Sequence, residues 1–135
     1  MSDDKCCKRR MQVARAYLLR LQGYEEATAI LKNRYLYALY EQSPDTEYHE
    51  AEYRDMERQE NMIRKDLFRL LRSMDNNFSR EVLWQLYIER KQPDEAAKWL
   101  GITVNMVREL QREGLLSLEV PREFIMTVTR RQRNG

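Results

Sequence analysis

One stretch of the chain, Pro93 to Leu116, has residue types and spacing suited to chemistry on another macromolecule. The run Asp94-Glu95-Ala96-Ala97-Lys98-Trp99-Leu100-Gly101-Ile102-Thr103-Val104-Asn105-Met106-Val107-Arg108-Glu109-Leu110 has the pattern of a helix-turn-helix. Ala97 is small where the two helices must cross. Gly101 suits the positive φ of a sharp turn. Leu100, Ile102, Val107 and Leu110 are the apolar residues that lock the second helix across the first, and Thr103 is a natural cap for that second helix. On the second helix, 103–113, the expected outward residues are Thr103, Val104, Asn105, Arg108, Glu109 and Arg112. Asn and Arg pair with adenine and guanine edges in the major groove, Val or Thr can meet a thymine methyl, and Glu can accept from cytosine or pair with a neighbouring Arg. Arg80, Lys91 and Lys98 are expected at phosphates.

Other chemistry lacks a residue set. No pair of carboxylates accompanies a base, a nucleophile or a glycine-rich loop, so no catalytic site and no cofactor are expected. Cys6 and Cys7 are adjacent, a geometry too strained for ready pairing, and with a single His they form no plausible zinc site. Reduced thiols in a cytoplasmic protein are the expectation. No apolar run approaches the ~20 residues of a membrane span, and no apolar segment follows the charged start, so neither membrane partner nor signal peptide is expected. The net charge is only +2. A basic surface must therefore come from local clusters, such as Lys5, Lys8, Arg9 and Arg10, or Arg130, Arg131 and Arg133. Binding to double-stranded DNA with so few cations calls for help from a second copy or from RNA polymerase.

The elements that would position this unit are helical. Charged residues make up 34% of the chain, with only 4 Gly and 3 Pro, which favours long exposed helices over turns. From about Met11 to Gln42, the residues Ala14, Tyr17, Leu21, Tyr24, Thr28, Leu31, Tyr35 and Ala38 recur in steps of three and four. This is a coiled-coil-like seam, widened by Leu18, Ala27, Leu36 and Leu39. Gly23 falls inside it at a cost of about 1 kcal/mol. Pro44 ends the helix, and a second runs from about Glu47 to Met74 through Met56, Ile63, Leu67, Leu70 and Leu71. Two long helices with a short loop predict an antiparallel hairpin. Ser79 is expected to cap a helix reaching Arg90, and Gly114 to stand just past the end of the recognition helix. Residues 118–129, with β-branched Ile125, Thr127, Val128 and Thr129, suggest a short strand or wing, or a loose tail. The expectation is an all-α chain with a basic tail over 1–10, a hairpin over 11–75, a helix-turn-helix unit over 79–118 and a basic tail over 119–135.

Residues 67–118 resemble region four of bacterial sigma factors. The similarity rests on Leu70-Leu71, on Arg80-Glu81-Val82-Leu83-Trp84-Gln85-Leu86-Tyr87, and on Glu95 to Thr103 with Val107. The layout of hairpin followed by helix-turn-helix is similar to small phage transcriptional regulators of the ArpU and RinA type. That resemblance implies a phage or mobile-element regulator of transcription. A weaker similarity, over Gly101 to Val104, Met106 to Arg108 and Arg112 to Leu116, is to MerR and excisionase proteins, and implies a β-wing at 118–129. Beside the DNA-binding regulator stands an interaction adaptor whose degenerate helix-turn-helix only packs. A homodimer through the hairpin is expected in the regulator.

Overall fold

A computed structural model describes the backbone of residues 2–134 and the side chains of 5–131; Met1, Gly135 and the side chain of Arg133 lie outside the described residues. Among these the chain is all-α. The helices are α1 (Ser2–Tyr40), α2 (Thr46–Arg72), α3 (Asn77–Leu83), α4 (Pro93–Leu100), α5 (Val104–Ser117) and α6 (Arg122–Asn134), with a π-helical segment at Trp84–Ile88 between α3 and α4. The chain forms two compact units, Leu19–Phe68 and the pair Met1–Leu18 with Arg69–Gly135. Both α1 and α2 run through the boundary, so the 11–75 hairpin does not coincide with a unit.

The unit Leu19–Phe68 is the central part of the α1–α2 hairpin. The seam predicted on α1 is its inward face: Leu21, Thr28 and Ala38 are buried, and Tyr24, Leu31 and Tyr35 partly so. Tyr35 stacks on Tyr53 of α2 with centroids 6.0 Å apart. Arg64 ties the helices together, donating to Glu25 at 3.3 Å and to Glu60 at 2.7 Å. Leu36 and Leu39, expected to widen the seam, are solvent-exposed, because the facing helix covers only one side of α1. The Tyr53 hydroxyl donates to Glu57 Oε2 at 2.7 Å. This bond, with smaller help from Arg54, holds the Glu57 carboxyl below the usual carboxylate range. A depressed carboxyl contributes stability that is present above its unfolded pKa near 4.3 and lost as pH falls through its lower folded value. Tyr53→Phe is therefore expected to move the Glu57 titration upward toward the ordinary value, read from its side-chain carboxyl resonance. An unmoved titration would remove the bond's role.

The other unit contains everything from Arg69 on, together with the start of α1. Its core includes Ala14, Leu18, Leu71, Val82, Leu83, Val107 and Leu115. Four expectations change here. First, α1 begins at Ser2, so the predicted basic tail is helical; no Gly or Pro interrupts the first 22 residues, which are rich in good helix formers. Second, residues 118–129 carry no strand. They enter α6, which runs antiparallel to the start of α1: Phe124 sets its edge on Tyr17 with centroids 5.2 Å apart, and Arg9 donates to Thr129 Oγ1 at 3.4 Å. Packing at helical spacing overrides the β-propensity of Ile125, Thr127, Val128 and Thr129. The winged MerR and excisionase reading, which needed a hairpin there, is withdrawn.

Third, α3 is capped by Asn76, whose Oδ1 accepts from the N–H groups of Phe78 and Ser79 at 2.9 and 3.1 Å. Ser79 is not the cap; it is buried, and its hydroxyl has no hydrogen-bond partner. Asn76→Ala is expected to cost about 1 kcal/mol. Ser79→Ala is expected to be neutral or stabilising, since it removes an unsatisfied buried group. Urea midpoints of the two variants separate these outcomes, and the reverse ranking would restore Ser79 as the cap. Fourth, Gly114 does not end α5. It is buried in the helix interior, where a Cβ would stand 2.9 Å from Leu83 Cδ1. Its role is close helix approach rather than helix termination.

Candidate nucleic-acid interface

The helix-turn-helix forms where the sequence placed it. Pro93 opens α4 at a position where its missing N–H costs nothing, and the N–H of Gln92 donates to Glu95 Oε1 at 3.4 Å. Gly101 adopts φ +69°, and the N–H groups of Gly101 and Ile102 return to the carbonyls of Lys98 and Ala97. This left-handed cap satisfies the last carbonyls of α4 while the chain reverses. Thr103 caps α5, accepting from the Met106 N–H at 3.1 Å. Val82, Ala96, Ala97 and Val107 form the buried centre, with Leu86, Leu100, Ile102, Val104 and Leu110 packed around it. Two adjacent alanines at the crossing let α5 lie close against α4.

The segment before α4 acts as a brace. Its π-helical turn closes with the Glu89 N–H on the Trp84 carbonyl at 3.0 Å, and Arg90 follows with φ +58°. A π-turn inserts an extra residue and redirects the chain. Buried Gln85 donates to Glu81 and accepts from the Lys91 ammonium. That ammonium also sits 4.2 Å above the centroid of the Trp99 ring on α4. Tyr87 joins this segment to two further helices, its hydroxyl accepting from Arg15 on α1 at 3.2 Å and Gln111 on α5 at 3.0 Å.

The outward face of α5 is narrower than the sequence suggested. Asn105, Glu109 and Arg112, spaced i, i+4 and i+7, stand in one exposed line, with exposed Arg108 beside them. Thr103 is exposed while its hydroxyl caps the helix. Val104 is turned toward the apolar centre rather than outward, because the first turn of α5 must bury one residue against α4. Met106, not among the residues expected to point outward, is 46% exposed on the same turn and takes the apolar outward place. Its signal was its position three before Glu109, which puts it on the same face as an expected outward residue.

The expected phosphate cations divide in the same way. Lys98 is exposed on α4. Arg80 is half-buried and donates to Asn77 Oδ1 at 2.9 Å. Lys91 is engaged internally by Gln85 and Trp99, so it works as a structural tie and the phosphate role expected of it loses support. Trp99 itself is 68% exposed and offers a large aromatic surface beside the motif. The line on α5 is of mixed sign, with Glu109 between Asn105 and Arg112. Such a surface favours a partner with an ordered pattern of donors and acceptors over a uniformly charged one.

The described residues include no group of three or more His, Cys, Asp or Glu that could hold a metal ion, and no described helix is long and apolar enough to cross a membrane. No family model, curated protein or solved structure gives a significant match to this chain.

Proposed function

We propose that the chain is a sequence-specific DNA-binding regulator of transcription that lays α5 in the major groove. The observation that carries this reading is the two-sidedness of α5. One side, through Val104, Val107 and Leu110, is locked to α4; the other presents Asn105, Arg108, Glu109 and Arg112 on a rigid rod. Asn105 would read adenine, the arginines guanine, and Glu109 the amino group of cytosine, while Met106 supplies apolar contact for a thymine methyl. Thr103 would serve as cap and first-turn contact, with Lys98 and Arg80 on phosphates. The resemblance to sigma region four extends the proposal to a phage or mobile-element regulator assisted by RNA polymerase. The reading involves binding and no catalysis.

Selection of bound sequences from random double-stranded DNA, followed by a salt series on the winner, tests this. Each phosphate neutralised contributes about −0.9 to the slope of log affinity against log salt. With Arg80 and Lys98 as the phosphate cations, the slope should be shallow, about −2 per unit. Failure to enrich any sequence would favour the adaptor reading, in which the unit only packs.

A further inference from the structure

The C-terminal half of α1, from Leu19 to Tyr40, carries a second seam that the hairpin leaves uncovered. Leu19, Gly23, Glu26, Ile30, Tyr37 and Tyr40, with Asn33 between Ile30 and Tyr37, recur in unbroken steps of four and three. Each stands two residues beyond a position of the buried seam, which places it about 160° around the helix. All seven are exposed; Ile30 is 55%, Tyr37 68% and Tyr40 84% accessible. Leu19, Ile30, Tyr37 and Tyr40 give this open face large apolar side chains at heptad spacing, the register a coiled-coil partner would use.

Gly23 is the telling residue. A glycine inside a helix is unfavourable, and here no positive φ requires it and, beyond its own stretch of helix backbone, no described atom lies within 4 Å of the Cβ it lacks. Nothing among the described residues of a single chain packs against it. We infer that this face binds a second copy of the chain in an antiparallel coiled coil, in which Gly23 makes room for Tyr40 of the second copy. The register follows from the heptads, which pair alternate seam positions across an antiparallel interface. Gly23 then faces Tyr40, Glu26 faces Tyr37, and Ile30 faces Asn33 of the other copy, each contact occurring twice about a two-fold axis. Glu26 also comes beside Arg34 of the second copy, so charges are complementary. A parallel pairing stacks Glu26 on Glu26 and Gly23 on Gly23, which joins like charges and leaves an empty layer. This assembly is independent of DNA binding, and it gives the homodimer expected from the sequence a specific surface.

Light scattering over about 5–200 µM tests it on the full chain, with circular dichroism at 222 nm as the control for folding. The parent is expected to reach twice the 16.4 kDa chain mass. Ile30→Glu should return it to monomer. Gly23→Leu should raise the helicity of the isolated chain yet weaken association at least tenfold, opposite to its effect on helix propensity. Glu26→Arg and Arg34→Glu should each weaken association tenfold or more, and the double exchange should restore it. A parent that stays monomeric over the whole range overturns the inference. So does a Gly23→Leu chain that associates as tightly as the parent, or a charge exchange without recovery.

Discussion

A chain carrying both Asn105→Ala and Arg112→Ala is expected to bind its selected DNA between about thirty-fold and twenty-thousand-fold more weakly than the parent, with its fold intact. Each side chain that reads a base edge with two hydrogen bonds discriminates by about 1–3 kcal/mol, and each 1.4 kcal/mol is tenfold. Asn105 and Arg112 share one exposed line on α5 and neither contributes to the buried centre, so their removal leaves the packing of Val82, Ala96, Ala97 and Val107 untouched. The loss should be much smaller on random DNA, where phosphate contacts dominate. Glu109→Gln should do the opposite, tightening random-DNA binding by removing a negative charge from the same line while relaxing sequence preference. Fluorescence anisotropy at one fixed salt concentration, on selected and random duplexes, measures all three. An unchanged affinity for the selected duplex in the double variant would transfer the function away from α5.

Leu83→Ala is expected to cost about 2–5 kcal/mol of stability, a large share of the 5–15 kcal/mol typical of a domain. Leu83 is fully buried, and its branched end lies over Gly114, so α3 and α5 are in close contact there. The reciprocal change, Gly114→Val, drives new methyl groups into Leu83 and is expected to cost about 1–3 kcal/mol, since overpacking outweighs the small gain in helix propensity. The two sites share one space, so the costs should not add. The double variant Leu83→Ala/Gly114→Val should be more stable than the sum of the single losses predicts by about 1 kcal/mol or more, because the valine fills part of the vacated volume. Urea denaturation of the four chains closes the cycle. Strict additivity would show that Gly114 is not held by Leu83.

The helix-turn-helix was legible because each of its parts has a local cause. Pro93 begins a helix, Gly101 reverses the chain at φ +69°, Thr103 caps the next helix through the Met106 N–H, and alternating apolar residues lock the two together. Capping and turn chemistry depend on residues within one turn of each other, and the α1 seam depends on periodicity alone. Both are properties of a linear string. What lay outside local reach was decided by packing. The β-branched run in 118–129 became α6 because Phe124 found Tyr17, more than a hundred residues away. Gly114 passed from an expected helix end to a helix interior because Leu83 occupies the space above it. Lys91 turned from a free cation into a tie because Gln85 and Trp99 converge on it, and Val104 turned inward while Met106 faces outward because α4 covers one side of α5 and not the other. Periodicity states that a helix has an apolar side; only the neighbour that arrives decides which residues it covers, and on α1 it left a second seam open.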